Sequence, residues 1–119
     1  MKKRDARTAV VGGREFTNKK TMFYVLDEYS KAYGISSIVS GGARGADTLA
    51  EVYAHERQIP LVVYKAEWDK HGKKAGFLRN ITIVENCDIV VAFPTKESKG
   101  TWHTVNLAKK MNKPVYVFE

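Results

Sequence analysis

Short runs of apolar, often β-branched residues alternate along this chain with longer stretches in which apolar residues recur every three or four positions. The short runs predict strands and the longer repeats predict helices, because such a repeat places apolar side chains on one helix face. The five predicted strands cover residues 8–11, 35–40, 60–64, 89–93 and 115–118. The apolar stripes of the four predicted helices cover residues 22–33, 46–54, 77–85 and 101–111.

Turn and capping signals separate these segments. Thr17 or Asn18 is expected to cap the first helix, and Gly34 is expected to end it. The segment Lys65–Gly76 is rich in lysine and glycine and is predicted to be a loop.

Four of the five predicted strands are continuously apolar. Such runs are typical of parallel strands that helices cover on both faces. We therefore predict a doubly wound α/β domain, with a parallel five-stranded sheet in a three-layer α/β/α arrangement. A single domain is expected over residues 8–119 after a basic tail at residues 1–7, because the chain shows no internal repeat and no shift in composition.

Ligands of doubly wound sheets bind beyond the carboxyl ends of the strands, so the loops that follow the strands form the candidate site. The loop after the first strand contains Gly12, Gly13 and Arg14. The glycines let the backbone turn tightly beside a ligand, and a guanidinium can bind a phosphate or a carboxylate. The alternative is an ordinary turn with a surface arginine.

The loop after the second strand leads directly into a helix, and its candidate residues are Gly41, Gly42, Arg44, Gly45 and Asp47. Backbone N–H groups at a helix N-terminus favour an anion. Asp47 is either an acid well placed in the first helical turn or a ligand for a hydroxyl group. The run has neither the dinucleotide-binding fingerprint nor a P-loop, which argues against ordinary dehydrogenases and ATPases.

Two later segments add candidates of other kinds. Trp68 is either a stacking surface for a base or a core residue. Arg79 and Asn80 lie on the helix that follows, where their placement is rigid. After the fourth strand, Thr101 is expected to cap the next helix and Gly100 to let an anion approach its N-terminus.

Charge and composition narrow the choice of partners. The 119 residues carry 20 Lys and Arg against 13 Asp and Glu, a formal net charge of +7. Nucleotide phosphate and nucleic acid are therefore both candidate partners. The lone Cys87 forms no internal disulfide and no apolar run reaches the roughly 20 residues of a membrane helix, so we expect a cytoplasmic protein with no membrane partner. The histidines lack metal-ligand spacing, so we expect no metal and no cofactor.

Four motifs together resemble the SLOG superfamily, and more closely its YspA-type (DUF2493) branch of short single-domain proteins. They are Val10–Arg14, Ser40–Asp47, Trp68–Asn80 and Gly100–Thr101. The resemblance covers nearly the whole chain from residue 8 to residue 118. It implies a Rossmann-like sheet that binds nucleotides or nucleotide-derived ligands, such as ADP-ribose-like molecules, at these loops. The superfamily also includes the cytokinin-activating phosphoribohydrolases and the DNA-processing protein DprA.

One departure from the superfamily bears on catalysis. The phosphoribohydrolases carry a Pro-Gly-Gly-x-Gly-Thr-x-x-Glu motif, and the position of its Glu is Thr104 in this chain. Cleavage of an N-glycosidic bond passes through an oxocarbenium-like transition state that a nearby carboxylate stabilises. We therefore favour binding over turnover and assign no catalytic residue. Asp47 or Glu97 is the acid or base in the enzymatic alternative.

The leading hypothesis is a protein that senses or sequesters a nucleotide-derived small molecule. Phosphates are expected at residues 42–45 and 100–101, with Arg14 and Arg79 as cations and Trp68 or Trp102 as the stacking surface. The first alternative is a hydrolase or transferase acting on the N-glycosidic bond of a nucleoside monophosphate. Single-stranded DNA binding is the weaker alternative.

Two further expectations concern a variant of Gly45 and the self-association of the chain. Gly45→Val should abolish ligand binding without unfolding the protein. The chain should form a dimer or a higher oligomer, because Tyr24, Tyr29 and Tyr33 of the first helix offer more aromatic surface than one face can bury.

Overall fold

The computed structural model describes residues 5–119, so the first four residues of the predicted basic tail lie outside the described residues. The strands are β1 (Ala6–Gly12), β2 (Ile35–Ser40), β3 (Leu61–Val63), β4 (Ile89–Phe93) and β5 (Val115–Val117). The helices are α1 (Lys19–Ala32), α2 (Ala46–Glu56), α3 (Trp68–His71), α4 (Ala75–Glu85) and α5 (Lys99–Lys110).

The five strands form one parallel sheet in the order β3-β2-β1-β4-β5. The strand order therefore reverses between β1 and β4, and this reversal places the loops after those two strands side by side at one edge of the sheet. The predicted doubly wound α/β fold is confirmed. No helix within residues 5–119 is long and apolar enough to cross a membrane.

Both faces of the sheet are covered, as the continuous apolar strands predicted. Val10 of β1 points into a cluster with residues of α1 and α2, such as Leu26 and Tyr53. Its neighbour Val11 points to the opposite face, into a cluster with residues of α4 and α5 that includes Val105. Successive strand residues face opposite sides, so one strand contributes to both cores and the arrangement has three layers.

The segment between β3 and α4 corrects the sequence prediction. Lys65–Gly76 was expected to be a loop, yet it contains the short helix α3, a 3-10 turn at Gly72–Lys74 and the first two residues of α4. Gly72 has φ +58° and ends α3, which allows the chain to turn into the next helix. The segment buries too few apolar residues to show a helical repeat, so its sequence pattern indicates neither the short helix nor the 3-10 turn.

The ends of α1 and α5 show one capping prediction confirmed and one wrong. Asn18 caps α1, since its Oδ1 accepts a hydrogen bond from the Thr21 N–H at 3.1 Å. Thr101 does not cap α5, because that helix begins at Lys99 with Ser98 in the capping position. The Ser98 hydroxyl accepts the Thr95 N–H at 2.6 Å, which closes the preceding turn and lets the helix start earlier.

β1 begins at Ala6, two residues before the predicted start. The extension brings Arg7 beside Asp88, just before β4. The Arg7 backbone N–H and its guanidinium Nε and Nη2 all donate to the Asp88 carboxylate at 2.8–3.1 Å. These bonds lower the pKa of Asp88 and fasten the start of β1 to β4.

Candidate functional site

A cleft of about 420 Å³ lies where the strand order reverses, at the carboxyl ends of β1 and β4. We call it the switch-point cleft. Small-molecule sites typically have volumes of roughly 300–1,000 Å³, so this cleft is large enough for one. It brings together most of the predicted site residues: Gly12, Gly13, Arg14, Arg44, Asp47, Arg79, Asn80, Gly100 and Thr101.

A second cleft of about 350 Å³ adjoins the first, and we call it the basic cleft. It contains three more predicted site residues, Gly41, Gly42 and Trp68, together with Lys65. The two clefts share a wall formed by Arg14, Ala43, Arg44 and Arg79. The predicted residues therefore line two connected spaces.

Gly45 is the one predicted site residue that lines neither cleft. Its φ is +73°, and a Cβ built on it would overlap the backbone oxygen of Gly13. The Gly13 oxygen also accepts the N–H of Ala46 at 3.2 Å. Gly45 thus allows the N-terminus of α2 to pack against the loop after β1, which shapes the site from behind.

Gly12 has a packing role as well as a place in the wall. A Cβ on Gly12 would lie 2.5 Å from both the Ala46 Cβ and the Phe93 backbone oxygen. Only glycine lets α2 approach the sheet this closely between β1 and β4. Gly12 and Gly45 together allow the N-terminus of α2 to pack close to the point where the strand order reverses.

The loop into α2 uses some of its own N–H groups. The Gly42 N–H donates to the Ser40 Oγ at 3.2 Å and the Ala43 N–H donates to the Asp47 Oδ2 at 3.1 Å. Within residues 5–119, the N–H groups of Arg44 and Gly45 have no protein acceptor. The expected cradle of residues 42–45 is therefore reduced to the two N–H groups nearest the helix.

Asp47 is buried beneath this loop. Burial raises the pKa of its carboxyl above the usual range, while the hydrogen bond from Ala43 and the positive charge of Arg79 oppose that shift. One carboxylate oxygen is already bound to the Ala43 N–H. Asp47 therefore holds the loop in shape, whether or not its other oxygen meets a ligand.

Arg79 is the most constrained cation of the site. Its Nη1 donates to the Gly41 backbone oxygen at 2.8 Å and its Nε donates to the Asn80 Oδ1 at 2.9 Å. Burial lowers the pKa of this guanidinium and the nearby Asp47 carboxylate opposes the shift. The side chain is thus held in one orientation in the wall between the two clefts.

Asn80 connects Arg79 to the start of α5. Its Oδ1 accepts from Arg79, so its Nδ2 is the donor toward the Gly100 backbone oxygen at 3.3 Å and the His103 Nδ1 at 3.0 Å. The His103 Nδ1 must then be an unprotonated acceptor, which corresponds to the neutral ring. Asn80 orients Arg79 and at the same time fixes α4 against α5.

The pH dependence of stability tests this chain of hydrogen bonds. Burial lowers the pKa of His103, and Lys110 shifts it in the same direction. The unfolded chain then binds more protons just below the ordinary histidine pKa of about 6.5, so the free energy of unfolding falls as the pH drops through that value. His103→Asn keeps an acceptor for Asn80 and does not titrate.

We therefore expect the urea midpoint of the wild type to fall more than that of His103→Asn between about pH 7.5 and about pH 5.5. An equal decrease of the urea midpoint in the two proteins would show that protonation of His103 does not affect the stability of the fold.

The two tryptophans have different positions. Trp68 lines the basic cleft, is 53% exposed and rests beside Gly76, where an added Cβ would lie 3.5 Å from its ring. Trp102 lines none of the clefts described here, although it is 37% exposed. Of the two predicted stacking surfaces, only Trp68 is available to a ligand in the clefts.

Several residues of the clefts were not predicted as ligand-binding residues. Glu15, Glu97 and Lys99 line the switch-point cleft, and Lys65 lines the basic cleft. Each lies in or next to a predicted loop or helix start, and this position was the available signal in the sequence. Which of these residues points into a cleft depends on how the helices and strands pack against one another. The periodicity of apolar residues in the sequence does not show this packing.

Three of the four lysines in the segment Lys65–Gly76 lie outside both clefts. Lys70, Lys73 and Lys74 are exposed on α3 and on the turn after it.

No group of three or more His, Cys, Asp or Glu side chains within residues 5–119 is arranged to hold a metal ion.

Comparison with known proteins identifies a family model and a relative that match this chain. A family model described as YAcAr, the YspA, cpYpsA-related SLOG family, matches residues 6–71. The Gene 61 protein of Mycobacterium phage D29 is 38% identical over 120 residues, and the alignment covers 94% of this chain and 95% of the phage protein.

Two solved structures share the fold. DNA processing protein A from Helicobacter pylori, which binds single-stranded DNA, matches with a TM-score of 0.74 at 22% identity and covers 96% of this chain. DprA from Streptococcus pneumoniae matches with a TM-score of 0.78 at 21% identity and covers 95%. This chain spans 65% and 50% of the two structures, and likeness at such identity shows the fold alone.

Proposed function

Because the chain belongs to the YspA, cpYpsA-related SLOG family, we propose that it binds a nucleotide or nucleotide-derived small molecule in the two connected clefts. One observation carries the proposal. Arg14, Arg44 and Arg79 come from three separate elements and meet in the wall between the clefts, at the switch point of the sheet. Guanidinium groups bind phosphate through paired hydrogen bonds, so their convergence favours a phosphorylated ligand.

The N-terminus of α2 supports the same proposal. The N–H groups of Arg44 and Gly45 lie at the positive end of the helix dipole, beside the three arginines. Partial positive charge and free donors together favour a phosphate oxygen. The protein then acts as a sensor of its ligand or as a protein that sequesters it.

A thermal-shift screen tests the proposal. ADP, ADP-ribose and cyclic adenine nucleotides are tested beside adenosine and inorganic phosphate as controls. A ligand at 100 times its Kd adds about 2.7 kcal/mol to the free energy of unfolding. We expect at least one nucleotide to raise the melting temperature well above both controls, and equal effects of nucleotide and phosphate would contradict the proposal.

The enzymatic alternative has one observation in its favour. Asp47 and Glu97 both line the switch-point cleft, and either is an acid or base candidate for N-glycosidic cleavage. Thr104, at the position of the phosphoribohydrolase Glu, donates its hydroxyl to the Gly100 oxygen at 3.0 Å and supplies no carboxylate. Release of free base from a nucleoside monophosphate, lost in Glu97→Gln, would favour this alternative.

Single-stranded DNA binding is the other alternative, and the Helicobacter pylori neighbour and the net charge of +7 favour it. Binding of this kind neutralises several phosphates, so its affinity falls steeply with salt. A titration of a short oligonucleotide at several salt concentrations distinguishes it from small-molecule binding. Affinity that exceeds that of every nucleotide and falls steeply with salt would favour DNA.

Self-association is a further part of the proposal. Tyr24 of α1 is 67% exposed, and Tyr33, which directly follows α1, is 50% exposed, so we expect a homodimer or higher oligomer that involves α1. Sedimentation at tens of micromolar should show a mass above that of the monomer. A Tyr24→Ser, Tyr33→Ser variant should dissociate, whereas Phe77→Ser on the opposite layer should not. A wild type that remains monomeric would contradict the expectation.

A further inference from the structure

We propose that His103 is a positioning residue through which pH controls the orientation of Arg79 and, with it, ligand binding. The neutral ring holds Arg79 in place through the side chain of Asn80, and a protonated ring releases it. His103 lines neither the switch-point cleft nor the basic cleft, so it acts through Asn80, which does line the switch-point cleft. The inference rests on the proposed function and adds a regulation of the same site.

The side-chain amide of Asn80 has one permitted orientation. Its Oδ1 accepts the Arg79 Nε–H at 2.9 Å, and its Nδ2 donates to the Gly100 backbone oxygen at 3.3 Å. The Arg79 Nε is only a donor and a carbonyl oxygen is only an acceptor, so a reversed amide would place donor against donor and acceptor against acceptor. The Asn80 Nδ2 therefore faces the His103 Nδ1, 3.0 Å away, and needs an acceptor there.

A protonated His103 ring cannot supply this acceptor. Both nitrogens of an imidazolium carry hydrogens, so the His103 Nδ1–H would face an N–H of Asn80. Asn80 is only 5% exposed, so water does not replace a partner that its amide loses. The Phe77 ring lies edge-on to the imidazole, with 4.6 Å between the ring centroids, and closes one direction in which the imidazole could turn. We therefore expect Asn80 to shift and to weaken its bond with the Arg79 Nε.

The surroundings of His103 favour the neutral ring. From α4 the imidazole faces Phe77 and Asn80, and neither side chain titrates. On α5 itself, Lys99 lies one turn before His103 and Lys110 lies two turns after it, and both are cations. Burial and the charge of Lys110 lower the pKa of His103. The ring is therefore neutral at pH 7.5 and becomes protonated below about pH 6.5.

The direction of the effect distinguishes this inference from simple electrostatics. Positive charge added near the three arginines of the shared wall would by itself strengthen the binding of an anion as the pH falls. Release of Arg79 predicts the opposite, because a guanidinium that is not held in place loses more conformational freedom when it binds a phosphate. The affinity should therefore fall when His103 is protonated.

Calorimetric titration with ADP-ribose and with cyclic AMP tests the inference. The phosphates of both probes are esterified on both sides, so the probes keep their charge over the pH range used. His103→Asn keeps an acceptor for Asn80 and does not titrate. Between about pH 7.5 and about pH 5.5, we expect the wild type to lose about two- to tenfold more affinity than His103→Asn, since a histidine is mostly protonated one unit below its pKa.

The other two histidines provide matched controls. His71 lines a separate pocket that Arg79 also lines, and His55 is exposed on α2. The variants His71→Asn and His55→Asn should keep the pH dependence of the wild type. A pH dependence that disappears in His71→Asn and persists in His103→Asn would overturn the inference.

Nuclear magnetic resonance follows the coupling itself. Without ligand, the Nε–H signal of Arg79 should change with the same midpoint pH as the ring signals of His103. Saturation with ADP-ribose should lower that midpoint, because the coupling between binding and protonation is reciprocal. An Arg79 signal that ignores the titration of His103, or a midpoint that ADP-ribose raises, would overturn the inference.

The outcomes separate this inference from the proposed function. Saturable binding of either probe with the same pH dependence in the wild type and in His103→Asn overturns the inference and keeps the proposed function. Absence of saturable binding for every nucleotide of the thermal-shift screen, in a protein that is folded by circular dichroism, overturns the proposed function itself.

Discussion

Replacement of Arg79 by alanine is expected to weaken binding of a nucleoside diphosphate by about 30-fold or more. Loss of a charge-assisted pair at a partly desolvated site removes about 2 to 5 kcal/mol of binding free energy. Arg79 is half-buried, is held by the Gly41 oxygen and Asn80, and stands in the wall between the two clefts. Little entropy is therefore lost when it meets a phosphate.

The lysine-rich segment provides the comparison. A triple alanine variant at Lys70, Lys73 and Lys74 removes three charges that lie outside both clefts. Exposed charges contribute roughly 0 to 1 kcal/mol, so we expect a small and salt-dependent loss of affinity. Isothermal titration of both variants under the same salt conditions measures the difference.

Two controls keep this comparison interpretable. Arg79→Lys retains the charge without the planar donors, and it should recover only part of the lost affinity. The urea midpoint of each variant shows how much of the effect is structural. A greater and strongly salt-dependent loss in the lysine variant would contradict the account and favour nucleic-acid binding.

Replacement of Gly45 by valine is expected to destabilise the fold by about 2 to 6 kcal/mol. The residue has φ +73°, and a side chain there would overlap the backbone of Gly13 and Arg14. A β-branched residue is strained at that φ and also pushes α2 away from the loop after β1. We therefore expect this variant to lose stability as well as binding, whereas the sequence alone predicted loss of binding with the fold intact.

Urea unfolding measures the effect, with Gly100→Ala as the matched control. No atom lies within 4 Å of a Cβ added at Gly100, which sits inside α5. That control should be as stable as the wild type or more stable by about 0.5 kcal/mol, because alanine favours a helix. A Gly45→Val protein with the wild-type midpoint would show that the α2 N-terminus tolerates displacement.

The fold was predictable from the sequence because each of its strands leaves a local signal. β2 and β4 have the predicted boundaries, because Gly41 and Pro94 directly follow them and neither residue type continues a buried strand. The segment from Lys65 to Gly76 was not predictable in the same way. Its short turns are held by neighbouring elements and not by an apolar repeat of their own.

The loops that form the candidate site were predictable from the sequence. The hydrogen bonds among its side chains were not. Glycine and arginine after β1 and β2 indicated where a ligand approaches, because parallel strands end at a common edge. The link from Arg79 through Asn80 to His103 joins residues of α4 and α5, and its partners depend on how the helices pack. The position of Gly45 behind the clefts likewise depends on three-dimensional contact with Gly13.

Backbone amide chemical shifts, followed during titration with a nucleoside diphosphate, report both whether a ligand binds and which residues it approaches. We expect saturable shifts at residues 12–15, 43–45 and 98–101, and no shifts in α1. Saturable shifts confined to α1 and β5, or to the exposed lysines at 70–74, would contradict it.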